Sequence, residues 1–226
     1  MNEYLTAKKR IFMNQGEGDY LVLNYDDVVL RDLASHVQAK VVFFGRQSES
    51  KDMGGDLNSN YLAVMAVAKI FGIPADKCLE VFKGFKGLEH RLEFVRNIRS
   101  VDFVNDSKAT NVNSTAWALK NIRKPAVLIA GGRDKGSDYG VISGLIKEKV
   151  KFLILIGEAR DKIAKALDGF VPIQSASSMD EAVGIGLREA SSGDCVVLSP
   201  MCASFDMFDN YEHRGRVFKE IVSRLK

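Results

Sequence analysis

Cysteine is scarce: Cys78, Cys195 and Cys202 are the only three in 226 residues, too few and too scattered for a disulfide framework or a four-ligand zinc site. A reducing, cytoplasmic setting is therefore expected. No run of about 18 apolar residues occurs, and the opening Met-Asn-Glu-Tyr-Leu-Thr-Ala-Lys-Lys-Arg has no apolar signal-peptide core, so neither membrane insertion nor export is expected. Charge of one sign is also lacking: 32 basic residues stand against 29 acidic ones. They are spread along the chain, which gives no reason to expect a nucleic-acid partner. No Gly-rich loop ending in Gly-Lys-Thr or Gly-Lys-Ser is present to cradle nucleotide phosphates. Nor does Gly-x-Gly-x-x-Gly follow the first strand pattern, which argues against a dehydrogenase-type dinucleotide binder.

What remains is an ordinary globular composition, 46% hydrophobic and 27% charged, sufficient for one large or two modest domains with buried cores. The apolar spacing predicts a helix over 3–14, a strand over 20–24, a helix over 26–34 and a strand over 40–44. A polar, Gly-rich stretch covers 45–60. The nearly all-apolar run 61–71 reads as a buried helix, and a second helix is expected to start at Pro74 and end near Gly84 or Gly87. A domain boundary is placed near 86–91. Beyond it, strands are expected at 93–98, 101–105, 126–130, 152–156, 170–173 and 195–198, separated by helical segments. Ser178-Met-Asp-Glu181 has the spacing of a capping box ahead of one of them. This alternation predicts an α/β fold, a Rossmann-like and mostly parallel sheet with helices on both faces.

The densest chemistry is Asn105-Asp-Ser-Lys-Ala-Thr-Asn111. An alternating apolar strand precedes it and a helical pattern follows from about Ser114. A carboxylate, two hydroxyls and an ammonium thus share a strand-to-helix turn, at the strand end where open α/β sheets bind ligands and helix N-termini favour anions. A phosphate or carboxylate ligand is the natural expectation.

Four blocks in order carry more than any one alone: Gly87-Leu-Glu-His-Arg-Leu-Glu93, Asn105 to Asn111, Gly131-Gly-Arg-Asp-Lys-Gly136, and Leu198-Ser-Pro-Met-Cys-Ala-Ser-Phe-Asp206 with Asn210-Tyr-Glu-His-Arg-Gly215. Together they closely resemble the C-terminal domain of the Mur ligases of peptidoglycan synthesis, in particular their D-glutamate-adding branch. The opening, Tyr4 to Phe12 and Val22 to Asp27, resembles the later part of that family's central ATPase domain. The resemblance implies a C-terminal domain over 89–226, preceded over 1–88 by a central-domain remnant truncated at its start and shortened inside, with Asp56-Leu57 where the family has a His-Asn pair.

In that family ATP and Mg2+ serve to phosphorylate the carboxylate of UDP-N-acetylmuramoyl-L-alanine, and the amine of D-glutamate attacks the acyl phosphate, so those molecules are the expected cofactors and partners. Electrostatic stabilisation of the moving phosphoryl group and in-line placement of the acceptor are the physical demands. By resemblance Arg91 reaches ATP phosphates, Lys108 faces phosphate or carboxylate, and Asp106 lies near the ribose; Arg91 and Lys108 are the candidate catalytic cations. Thr110, Lys135, Ser204 and Tyr211 are the candidate D-glutamate contacts. Asn60 matches an adenine-contacting Asn, and Lys8 a lysine that becomes carbamylated, turning a cation into an oxygen donor for magnesium. Blander roles compete with each of these. Arg91 suits a surface ion pair, Asp106 and Thr110 suit helix capping, and Lys8 and Lys135 suit plain solvation. Cys202 reads as a packed side chain, and neither Ser199 nor Ser204 sits in a nucleophile elbow. Of the histidines, His36 reads as structural, while His90 and His213 suit hydrogen bonding or packing. Without the phosphate loop and the sugar domain, these residues by themselves are expected to lack ligase activity. The rival expectation is a non-catalytic module that binds D-glutamate or a nucleotide.

Overall fold

In the computed structural model, residues 2–45, 59–85 and 87–226 are described. Most of the Gly-rich stretch, with Asp56 and Leu57, lies outside them. The chain divides into two compact units, 1–86 and 87–226.

The first unit opens with helix α1 (Asn2–Lys9), continued by a short 3-10 turn. Strands β1 (Tyr20–Asn24) and β2 (Lys40–Phe44) pair in parallel, Tyr20 opposite Lys40 and Asn24 opposite Phe44. Between them runs α2 (Val28–Leu33), held at its start by Asp27, whose carboxylate accepts the amides of Val29 and Leu30. That satisfies N–H groups which the helix itself leaves open. Leu21, Leu23 and Ala39 form a small core with Leu30, Val41 and Phe43 packed against it. Helix α3 (Ser59–Ile70) packs on both strands, and α4 (Ala75–Gly84) packs on α3. Tyr61 and Phe82 stack there with ring centroids 4.2 Å apart. Pro74 falls one residue earlier than expected: its backbone is extended at the cap, and the first helical residue is Ala75.

The second unit is a six-stranded sheet in the order β3 (Glu93–Ile98), β4 (Val101–Asn105), β8 (Cys195–Leu198), β5 (Ala126–Gly131), β6 (Val150–Ile156), β7 (Ile173–Ser175). Only β3 runs antiparallel, folded onto β4 by the tight turn Arg99-Ser100; the other pairings are parallel. The last strand in sequence, β8, is inserted between β4 and β5. Alternation along the central strands sends residues to two cores. Leu128, Leu153, Leu155 and Val197 face one, covered by α5 (Val112–Asn121), α6 (Ser143–Lys149) and α7 (Arg160–Leu167). Val127, Ile129, Ile154 and Val196 face the other, covered by α8 (Met179–Glu189) and α9 (Tyr211–Arg224). The expected Rossmann-like sheet with helices on both faces is what forms.

Two local details of the second unit differ from sequence expectation. The strand expected at 170–173 is instead Ile173–Ser175, paired with Leu153–Leu155. Its apolar start is spent on a turn: Gly169 has φ 77°, Phe170 is exposed, and Pro172, lacking an N–H, contributes only its carbonyl, to Leu153. At α8, Ser178 caps the helix by accepting the Glu181 amide at 3.1 Å, but Glu181 returns its bonds one residue earlier, to the amide and hydroxyl of Ser177. The box is opened by one residue yet still closes the helix end.

Candidate functional site

At the carboxyl ends of β4, β5 and β8, three loops are tied together by main-chain bonds. The Asp106 amide bonds to Leu198 O at 2.8 Å, Gly131 to Pro200 O at 2.8 Å, and Arg133 to Ala203 O at 2.9 Å. Parallel strands ending side by side put these loops in contact whatever their separation in sequence. Gly132 is required here, since its φ is 133° and a Cβ would stand 2.2 Å from Ala203 O.

The turn after β4 is organised by Asn105, fully buried. Its Nδ2 donates to His90 Nδ1 at 2.9 Å and to Glu93 Oε2 at 3.0 Å, and its Oδ1 accepts the Ser107 amide at 3.1 Å. His90 Nδ1 is therefore an acceptor, and this buried ring serves the scaffold. Asp106 turns inward as well: its carboxylate accepts the Leu92 amide at 3.2 Å and Ser199 Oγ at 2.7 Å, and Ser199 Oγ lies 3.0 Å from Thr115 Oγ1. Burial pushes its carboxyl up to about 6, against the opposing pull of Ser199, Leu92 and Arg91. The helix cap falls to neither Asp106 nor Thr110. Asn111 takes it, accepting the Ser114 amide at 2.9 Å.

The candidate ligand groups present themselves differently. Lys108 Nζ lies 5.3 Å from the Tyr211 ring centroid, a cation–π distance, and the Lys108 amide bonds to His90 O. Tyr211 meets the His90 ring edge-on at 6.0 Å. Arg91 is exposed and acts electrostatically on Asp106. Lys135 is exposed on the loop after β5, which Asp134 shapes by accepting from the Gly136 amide, Tyr139 Oη and Lys162 Nζ. Among the described residues, no carboxylate forms a close ion pair with Arg91, Lys108 or Lys135, whereas Lys124, Lys151, Lys162 and Lys219 of the same unit are all ion-paired. Ser204 is 2% exposed and Thr110 half-buried, and neither hydroxyl bonds to another described residue. Cys202 is buried against Tyr139 Oη at 3.1 Å, and burial pushes its thiol up, the opposite of what a nucleophile needs. His213 pairs with Asp209 at 3.0 Å, and His36 Nδ1 lies 2.9 Å from Ser35 Oγ and 3.2 Å from Asp32 O at the end of α2.

Two candidates fall in the first unit. Lys8 is on α1 and Asn60 on α3, both exposed. The one cluster of potential metal ligands among the described residues is Glu89, His90 and Glu93 in the second unit, and Lys219 already bonds both glutamates at 2.9 and 2.7 Å. Sequence reasoning passed over Asn105, Ser107, Asn111 and Arg214 as organisers. Asn111 was legible as a cap three residues before Ser114; a buried Arg214 carries no sequence signal, since arginine is ordinarily solvated.

Comparison with known proteins agrees with this architecture. The "Mur ligase, glutamate ligase domain" model matches residues 90–202 and the "Mur ligase middle domain" model residues 1–84. A UDP-N-acetylmuramoylalanine–D-glutamate ligase of Pelotomaculum thermopropionicum is 41% identical over 256 residues, covering 100% of this chain, and one of Pelodictyon phaeoclathratiforme is 40% identical over 261 residues, covering 98%. The chain spans 56% of the length of each. Among solved structures, the bifunctional folylpolyglutamate synthase/dihydrofolate synthase of Yersinia pestis, complexed with AMPPNP and Mn ion, is similar at TM-score 0.65 and 14% identity, covering 92% of this chain and 54% of that one. The UDP-N-acetylmuramate-alanine ligase of Thermotoga maritima is similar at TM-score 0.55 and 16% identity, over 74% of this chain and 37% of that one. At such identities the likeness concerns the fold, but the sequence matches go further: this chain belongs to the Mur ligase family.

Proposed function

We propose that this chain carries the acceptor-side part of a D-glutamate-adding peptidoglycan ligase. The carrying observation is the set of groups left over at the carboxyl edge of the sheet. Among the described residues Arg91, Lys108 and Lys135 make no close ion pair, Arg91 and Lys108 acting on Asp106 and Glu212 only at longer range, and the Thr110 and Ser204 hydroxyls bond to none of them. Cations and hydroxyls held ready in this way suit a small ligand with two carboxylates, which D-glutamate is. Lys135, Thr110, Ser204 and Tyr211 are assigned to D-glutamate. Arg91, Lys108 and Asp106 are assigned to the side facing ATP and the acyl phosphate of UDP-N-acetylmuramoyl-L-alanine, where cations would stabilise moving phosphoryl charge. For the first unit taken by itself, Asn60 is assigned a nucleotide contact, and a cytoplasmic setting goes with these substrates. A D-glutamate-adding ligase is favoured over a folylpolyglutamate synthase because identities near 40% run to the D-glutamate ligases, against 14% for the folylpolyglutamate synthase.

Few contacts and an open site give weak binding, so a Kd of about 1 mM is expected. Titration of the 226-residue chain with D-glutamate, followed by amide NMR, should move signals of Thr110, Lys135, Ser204 and Tyr211. Lys135→Ala should abolish the response by removing the compensating cation. An unchanged response in that variant, or shifts confined to other faces, would refute the assignment.

A further inference from the structure

Arg214 stands on the first turn of α9 with 1% of its surface exposed. Every hydrogen bond it makes goes to a neutral oxygen. Nε donates to Ser107 Oγ at 3.0 Å, Nη2 to Ser107 O at 2.9 Å and Cys202 O at 3.2 Å, and Nη1 to Cys202 O at 3.2 Å and Ala203 O at 3.4 Å. Asp206 acts on it only electrostatically, and burial lowers its pKa to about 10, which leaves it charged at neutral pH. A buried cation hydrogen-bonded to no anion is a costly way to hold a scaffold together compared with apolar packing. Its placement gives it a second role.

Each segment the guanidinium grips adjoins a candidate ligand group. Ser107 precedes Lys108 in the turn that also carries Thr110, Ala203 precedes Ser204, and Tyr211 lies one helical turn before Arg214. Ser107 completes the link by donating its hydroxyl to Tyr211 O at 2.8 Å. Because a trans peptide points its C=O and N–H in opposite directions, carbonyls turned toward Arg214 turn the N–H groups of Ala203 and Ser204 away from it. A planar fork with five donors can bridge two loops in this manner; a single ammonium cannot.

We propose that Arg214 is the positioning residue of the acceptor site, setting the spacing between the Lys108–Thr110 turn, Ser204 and Tyr211 and thereby the carboxylate separation the site accepts. This rests on the D-glutamate assignment above. The full chain should bind D-glutamate more tightly than D-aspartate, which is shorter by one methylene. In Arg214→Lys the affinity for D-glutamate should fall at least tenfold and the preference over D-aspartate should collapse toward one. A merely destabilising substitution would weaken both ligands alike. Ser107→Ala removes only the hydroxyl link and should lower the same preference; it decides the matter if the lysine variant does not fold. A preserved preference in whichever variant folds, or no preference in the unaltered chain, overturns the positioning role while leaving the D-glutamate assignment standing. Absence of any D-glutamate response in the unaltered chain overturns that assignment and the positioning role with it.

Discussion

Asp106→Asn should make this protein more stable at neutral pH while leaving its stability at acid pH almost unchanged. The carboxyl is 5% exposed and titrates near 6 in the folded chain rather than at 3.8. Since each pKa unit is worth about 1.4 kcal/mol, ionising it inside the fold costs about 3 kcal/mol, an upper figure because neighbours relax. The unfolded chain binds fewer protons between these two values, so stability falls as pH rises through that window. Below about pH 4 the group is neutral in both states and nothing is lost; above about pH 6 the loss is complete and constant. An amide can still accept the Leu92 N–H through its oxygen and still meet Ser199, whose hydroxyl can reorient. Urea unfolding of both chains at pH 4, 5, 6 and 7.5 would read the difference directly. The variant should gain about 3 kcal/mol on the wild type across that range. A stability gap that does not change with pH would show that Asp106 is not desolvated as its geometry requires.

The hairpin turn between β3 and β4 places Arg99 and Ser100 at φ 52° and 63°, a conformation that suits Asn-Gly. Arg99→Asn with Ser100→Gly should therefore stabilise by about 1 kcal/mol, a rise in Tm of about 3 °C by calorimetry. Gly215→Ala, which in an ordinary helix would gain about 1 kcal/mol, should instead cost about 1–3 kcal/mol in urea unfolding, because a Cβ there would stand 2.2 Å from His90 Nδ1. Residues 87–226 expressed alone should show one cooperative thermal transition, since both faces of their sheet are covered within the unit; a molten or aggregated product would contradict this.

Much of the second unit was legible because its strands are short apolar runs between turn signals. Ala126–Gly131, buried at every position, reads as a strand covered on both faces without further information. The strand at 173–175 was misplaced by a few residues because hydrophobicity reports burial, and Phe170 is an apolar residue left exposed in a turn. The ligand-facing loops were legible from residue type. Asp106 was found by its motif, but its environment was not: the burial that raises its pKa comes with Ser199 and Leu92, from a strand end and a loop far from it in sequence.

Residue order alone dictates the α/β alternation, the turn chemistry of 105–111 and membership in the Mur ligase family, because propensity, apolar spacing and motif identity are all local properties. The insertion of β8 between β4 and β5 is not local. It arises from strand pairing across more than one intervening helix, and it alone sets Ser199 against Asp106 and Ala203 against Arg133. Burial of Arg214 likewise depends on three separated segments converging on one guanidinium. Charge environments belong to space rather than to sequence, since desolvation and Coulomb energy depend on distances that only the folded chain establishes.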